Sequence, residues 1–233
     1  MKVGRMLALL FMVSVLVAIL ALPIGLIGMA SNRSVTIATQ MDSEPEPLAS
    51  LSQEFEGVES IEASGSLDLV WSPAEGPKTT VKVIGPTRKA ESVTIRLRGS
   101  ALVVSNSSSR SSSGVRVEVS GPQPNSFQTS GSGSLEAAGL SGKPVGLVVV
   151  GNGAITAGGS APSLNVEVAG SGNVKAWSLK ADSVLTKISG SGLVTVGESK
   201  QLDAKIAGSG RVLYLGDPKV TSDISGSGSI GKA

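Results

Sequence analysis

Residues 55–233 are expected to fold as an all-β, parallel solenoid of coils 18–20 residues long, preceded by one N-terminal hydrophobic helix. Three observations predict this. Six Gly-x-Gly triplets recur in the second half of the chain: Gly131-Ser132-Gly133, Gly151-Asn152-Gly153, Gly170-Ser171-Gly172, Gly190-Ser191-Gly192, Gly208-Ser209-Gly210 and Gly226-Ser227-Gly228. Their starts lie 20, 19, 20, 18 and 18 residues apart. A period near 20 with constant punctuation marks stacked units that cannot bury their apolar faces alone. The second observation is that apolar residues alternate with polar ones on both sides of each triplet. The third is composition, with 30 glycines in 233 residues and only 3% aromatics. Such a core must be built from thin layers of small and β-branched side chains.

The N-terminal segment 1–32 carries Lys2 and Arg5 and then no charge before Arg33. Its apolar run is long enough for a membrane-crossing helix, which needs about 20 residues. Basic residues ahead of it place that end in the cytoplasm and send the remainder across the membrane. Two fates stay open. Gly28 and Ala30 suit cleavage of a secretory signal after Ala30, whereas the length of the run suits a retained anchor. Segment 33–54, with Asp42, Glu44, Pro45, Glu46 and Pro47, reads as a flexible acidic, proline-bearing linker.

Segment 55–120 is irregular but still β. Strands are expected around Val58 and Ile61, Leu67 to Trp71, Thr79 to Val83, Val93 to Leu97, Ala101 to Val104 and Val115 to Val119. A serine-rich low-complexity loop at 105–114 separates the last two. In the repeats, offsets −6, −4 and −2 from the first glycine are apolar, as in Leu164, Val166 and Val168. Offsets +4 and +6 are apolar as well, as in Val174 and Ala176. Each coil therefore holds two short strands of period two around a glycine corner. A second, looser corner is expected at segments such as 158–162. Stacked like positions about 4.8 Å apart would crowd any side chain at the corner. The twelve triplet glycines, Gly131, Gly133, Gly151, Gly153, Gly170, Gly172, Gly190, Gly192, Gly208, Gly210, Gly226 and Gly228, are accordingly read as structural.

Chemistry is constrained more by absence than by presence. With no cysteine, neither disulfides, thiolate chemistry nor a thioether-linked lipid is available; with no histidine, the usual general base and metal ligand are missing. Without Lys2 and Arg5, 18 basic residues face 18 acidic ones, which argues against nucleic acid as a partner. The loose basic group Lys82, Arg88, Lys89, Arg96 and Arg98 reads as a solvated face. Neither a Gly-x-x-x-x-Gly-Lys-Ser loop, a Gly-x-Ser-x-Gly elbow nor a calcium-binding Gly-Gly-x-Gly-x-Asp frame occurs. No catalytic, cofactor or metal residue is assigned. Glu167, Asp203 and Asp223 share outward offsets with Lys187 and Lys205, a pattern that salt bridges between coils explain. Trp71 and Trp177 each read either as a carbohydrate-facing residue or as packing at a solenoid edge.

The segment Phe55-Glu56-Gly57-Val58-Glu59-Ser60-Ile61, the following Gly65-Ser66-Leu67-Asp68-Leu69, and repeats such as Gly170-Ser171-Gly172-Asn173-Val174 resemble a bacterial family, the auto-transporter adhesin head GIN domain. The resemblance covers about Phe55 to Ala233 and implies an envelope-associated, right-handed parallel β-helix with no assigned catalytic residue. Where that family often has aspartate after the second glycine, this chain has Ser134, Ala154, Asn173, Leu193, Arg211 and Ser229. The expected function is a non-catalytic structural or adhesion-type binding module of the cell envelope, periplasmic or otherwise extracytoplasmic. Its expected partners are the membrane, through the N-terminal segment, and an envelope polysaccharide or another envelope protein. The alternative is a polysaccharide lyase or hydrolase on the same scaffold. Oligomeric state is left open.

Overall fold

In the computed structural model, residues 48–106 and 115–233 are described. The segment 1–32, the linker up to residue 47 and most of the serine-rich loop lie outside the described residues. Two expected boundaries move. Strand β1 (Leu48–Glu56) begins inside the segment read as linker, pairing along its whole length with β4 (Lys78–Pro86). Its Ser50, Ser52 and Glu54 alternate with Leu51, Gln53 and Phe55, a period of two that the preceding prolines obscure. Ser105 and Asn106 complete a strand rather than starting the loop.

The repeats stack in register. On one side of the coils, β8 (Ser126–Gly131), β10 (Val145–Gly151), the second halves of β11 (Ala154–Gly170), β12 (Asn173–Gly190) and β13 (Leu193–Gly208), and β15 (Lys219–Gly226) form a parallel ladder. On the other, β9 (Ser134–Leu140), the first halves of β11 to β13, β14 (Arg211–Leu215) and β16 (Ser229–Lys232) form a second. Gly131, Gly151, Gly170, Gly190, Gly208 and Gly226 are successive partners in the first ladder. The described residues thus form a solenoid-like β stack with very little helix; the only one is α1 (Thr87–Ala90).

Inward rows show how a core without bulky rings is filled. One in-register row reads Phe127, Leu147, Val166, Thr186, Ala204 and Ser222, shrinking at nearly every step. The row two residues along reads Ala63, Thr129, Val149, Val168, Ile188, Ile206 and Ile224, and it grows. Close packing requires near-constant volume per layer, so one row gives up what the other takes. From Ile61 to Val212 the core side chains are almost entirely buried. Each valine, leucine or isoleucine buried in this way contributes about 1.5–3 kcal/mol.

The N-terminal end is built out of chain order. β6 (Ala101–Asn106) and β7 (Arg116–Gly121) pair outside β2 (Ser60–Gly65) and β3 (Asp68–Pro73), forming an outer coil. Inside, β2 and β3 join β8 and β9. Antiparallel strands then close the end: β5 (Val93–Arg98) on β6, and β4 on β7 with β1 beyond it. Trp71, wholly buried, meets Phe127 edge-on with ring centroids 5.3 Å apart. This pair supplies the bulk that the alanines Ala137, Ala157 and Ala176 do not.

Candidate functional site

The glycine corners are backbone architecture. Gly170 has φ +121°, and a Cβ there would stand 2.5 Å from the Gly151 carbonyl oxygen. A different obstacle faces Gly172, whose φ is not left-handed: its Cβ would lie 2.6 Å from the Gly153 carbonyl oxygen and against the Val149 side chain. The remaining triplet glycines repeat one or other arrangement. Corner amides continue the ladder, the Ser171 N–H donating to the Gly151 carbonyl at 3.0 Å and the Asn173 N–H to the Gly153 carbonyl at 3.0 Å. These glycines let the coils approach; they present no reactive group.

The loose corner expected at 158–162 is instead a third side with its own pairing. Strand β11 runs through it unbroken, and Ser160 pairs with Lys180 and Ala161 with Ala181, which in turn pairs with Ser199. Here three adjacent columns form a groove of about 550 Å³ running across the coils. Ala161, Ala181 and Ser199 make its floor. Ser160, Lys180 and Glu198 make one wall, and Pro162, Asp182 and Lys200 the other. Lys180 Nζ lies 3.0 Å from Glu198 Oε2, and Lys200 Nζ lies 2.8 Å from Asp182 Oδ1. Each wall therefore holds one ion pair between adjacent coils, with the signs reversed from wall to wall. Exposed pairs of this kind contribute at most about 1 kcal/mol each. Their stronger effect is to hold the walls at zero net charge. The Ser199 hydroxyl is shielded from solvent and has no hydrogen-bond partner.

Trp177 stands three residues before Lys180 on the same strand, so their Cα atoms are at most about 11 Å apart. It is 63% exposed, whereas Trp71 is wholly buried. Gly197 abuts its backbone from the next coil, where a Cβ would lie 2.7 Å from the Trp177 carbonyl oxygen. On the preceding coil Gly158 pairs with Ser178, whose hydroxyl donates to the Ala157 carbonyl at 3.3 Å. Gly158 and Gly197 thus add no side chain against the Trp177–Ser178 backbone.

The charged residues singled out in the sequence sit elsewhere. Glu167, Lys187, Lys205 and Asp223 are in-register neighbours in one outward row, while Asp203 belongs to the next row with Leu185 and Thr221. Three strand spacings, about 14 Å, separate Glu167 from Asp223. That is wider than the roughly 5–9.5 Å over which paired carboxylates cleave a glycosidic bond. Lys205 neighbours both, Asp223 in register on the next coil and Asp203 two residues away on its own strand. No group of three or more acidic residues able to hold a metal ion gathers among the described residues. Nor is any helix there long and apolar enough to cross a membrane. Sequence reading missed the groove, although a signal existed: Lys180 and Glu198, and Asp182 and Lys200, are each 18 residues apart, one coil of this part of the chain.

The family described as "Putative auto-transporter adhesin, head GIN domain" matches residues 57–218, and the chain belongs to it. No curated protein matches. Among solved structures, a "putative adhesin" of Bacteroides fragilis is similar, at 19% identity over 81% of this chain and 99% of that one, with a TM-score of 0.66. At that identity the likeness shows a shared fold. A "putative lipid binding protein" of Parabacteroides distasonis aligns at 22% identity over 79% of this chain and 96% of that one, with a TM-score of 0.47. A "putative adhesin" of Parabacteroides merdae aligns at 17% identity over 80% and 96%, with a TM-score of 0.44.

Proposed function

We propose that this chain is a non-catalytic, adhesion-type binding module of the cell envelope, wound as a right-handed β-helix and displayed outside the cytoplasmic membrane. The residue 1–32 segment would direct it there, as a retained anchor or a cleaved signal, with 33–47 as a tether. Its partners would be an envelope polysaccharide or another envelope protein. Family membership supports the adhesive role. The single observation that carries the binding reading is the third-side groove, which lines up small floor residues and hydrogen-bonding walls across three stacked coils. The backbone beneath it is held by in-register pairing before any ligand arrives, so little backbone ordering opposes binding.

The test is retention of the purified full chain on isolated envelope fractions and on polysaccharides extracted from them. Saturable retention is expected. A chain that is held by none of them, while folded by circular dichroism, would end this reading. Amino-terminal sequencing of the protein from cells distinguishes anchor from signal: an intact Met1 supports the first, and a start at Ser31 the second.

A further inference from the structure

Resting on that binding role, we infer that the groove walled by Lys180, Asp182, Glu198 and Lys200, together with the exposed Trp177, is a subsite for an uncharged glycan in extended conformation. The charge, spacing and surroundings of the groove select this ligand class. Both lysines are already within 3.0 Å of a carboxylate, so a polyanion would have to displace Glu198 and Asp182 before gaining a cation. A polycation faces the reverse problem. Hydroxyl groups do not, because a sugar hydroxyl can accept from an ammonium and donate to a carboxylate without breaking the pair.

Position within each coil strengthens the match. One coil offers Lys180 and Asp182 on opposite walls, and the next offers Glu198 and Lys200 with the order reversed. A ring over either of these two coils would meet one cation and one anion, and a ring over the preceding coil would meet Ser160 and Pro162. Coils repeat about every 4.8 Å, close to the advance of one sugar along an extended polysaccharide, so successive rings can fall on successive coils. The floor is strand backbone, because the side chains of Ala161 and Ala181 turn into the core, so nothing projects between the walls to obstruct a ring. The volume of about 550 Å³ lies within the usual range for ligand pockets.

Trp177 provides what the groove lacks, a broad apolar plate. A tryptophan held 63% exposed beside two glycines leaves much of its surface in water. The other described tryptophan shows that this fold can bury an indole completely. The electron-rich face of an indole attracts the C–H groups of a sugar ring much as it attracts cations, while the rim stays wet.

The experiment titrates the full chain with neutral hexasaccharides (β-1,4-glucose, β-1,3-glucose, α-1,4-glucose and β-1,4-N-acetylglucosamine), using polygalacturonate as the charged control. Because Trp71 is buried, tryptophan fluorescence and its quenching by acrylamide report mainly on Trp177. A saturable change with at least one neutral hexasaccharide, and protection of Trp177 from acrylamide, is expected. Trp177→Ala and Asp182→Phe should each weaken binding at least tenfold, and Trp177→Phe less; Asp182 is an exposed wall residue, and thermal melts establish that each variant is folded. The acrylamide measurement needs no variant and stands if one fails to fold. Preference for polygalacturonate, no saturable response to any neutral sugar, or unchanged affinity in both Trp177→Ala and Asp182→Phe would overturn the subsite. If those variants still bind envelope fractions as the parent does, the subsite falls and the binding role survives. Should the parent itself fail to bind envelope fractions, the binding role falls first.

Discussion

At its N-terminal end the stack closes with strands that run against the ladder; at its C-terminal end the parallel ladder simply stops. β4, β1 and β5 cover the first coils, and Val81 and Val83 of β4 and Leu102 and Val104 of β6 are buried. At the far end every residue of β15 is exposed, and Val220 and Ile224, in core rows, are 38% and 40% exposed. The same kind of side chain at the same offset is therefore core at one end and surface at the other. Burial in a solenoid comes from the neighbouring coil and not from the residue's own strand, so the last coil receives half of it. Charged and polar residues occupy both outer edges, Glu54 and Glu56 on β1 and Lys219 and Asp223 on β15, which discourages further strand addition.

Truncating one core residue at each end gives the largest separation. Phe127→Ala removes half of the Trp71–Phe127 pair and should cost about 3–5 kcal/mol, while Ile224→Ala should cost about 1 kcal/mol or less because little burial is lost. Urea unfolding measures both. Comparable losses at the two sites would break the comparison.

Amide exchange tests the same contrast without substitution. Amides in β15 and β16 should exchange at least about a hundredfold faster than those in β2, β8 and β10, because a terminal coil can open without the rest. Equal protection along the stack would mean that the unfolding unit is the whole solenoid.

Thr186 gives a smaller effect at mid-stack. Its hydroxyl is buried and without a partner, between the apolar Val166 and Ala204 of its row. Thr186→Val keeps the shape and should raise stability by about 1 kcal/mol, read as a higher urea midpoint. A fall would show that this hydroxyl is satisfied.

The smallest effect is shared by the two ends. A hydrogen bond from Lys78 to Glu54 raises the lysine pKa at the first, and one from Lys232 to Asp217 does so at the second. Raised lysine values stabilise the folded state fully below the unfolded pKa, about 10.4. That contribution is lost as pH climbs through the folded value. Both side chains are exposed, so the change should be slight. Melting temperature should respond to these pairs only above about pH 10, and the Lys78→Met, Lys232→Met double variant should lose that part of the alkaline response. A difference between variant and parent that grows between pH 6 and 9 would contradict the assignment.

Much of the middle was legible because repetition converts chain distance into spatial contact. Once Gly151, Gly170 and Gly190 are seen as equivalent, Val149, Val168 and Ile188 must be neighbours. The third side was hidden because Gly158 to Pro162 has the composition of a turn, yet each segment finds an in-register partner one coil away that holds it extended. Glu167, Lys187 and Lys205 looked like a lattice of ion pairs from their offsets. The structure puts two lysines side by side in that row and places the 2.8–3.0 Å lacing of the groove at Lys180–Glu198 and Asp182–Lys200 instead.

Local pattern alone determined that the chain is β, that its coils hold 18–20 residues and that glycine marks their corners, since steric crowding at one strand spacing acts identically on every repeat. Only the tertiary structure decided that β6 and β7 lie outside β2 and β3, that β1 and β4 reverse direction to close one end, and that Trp177 meets solvent while Trp71 does not. Those outcomes depend on which coil lies above which, and side-chain periodicity within a strand reads the same whichever neighbour comes to cover it.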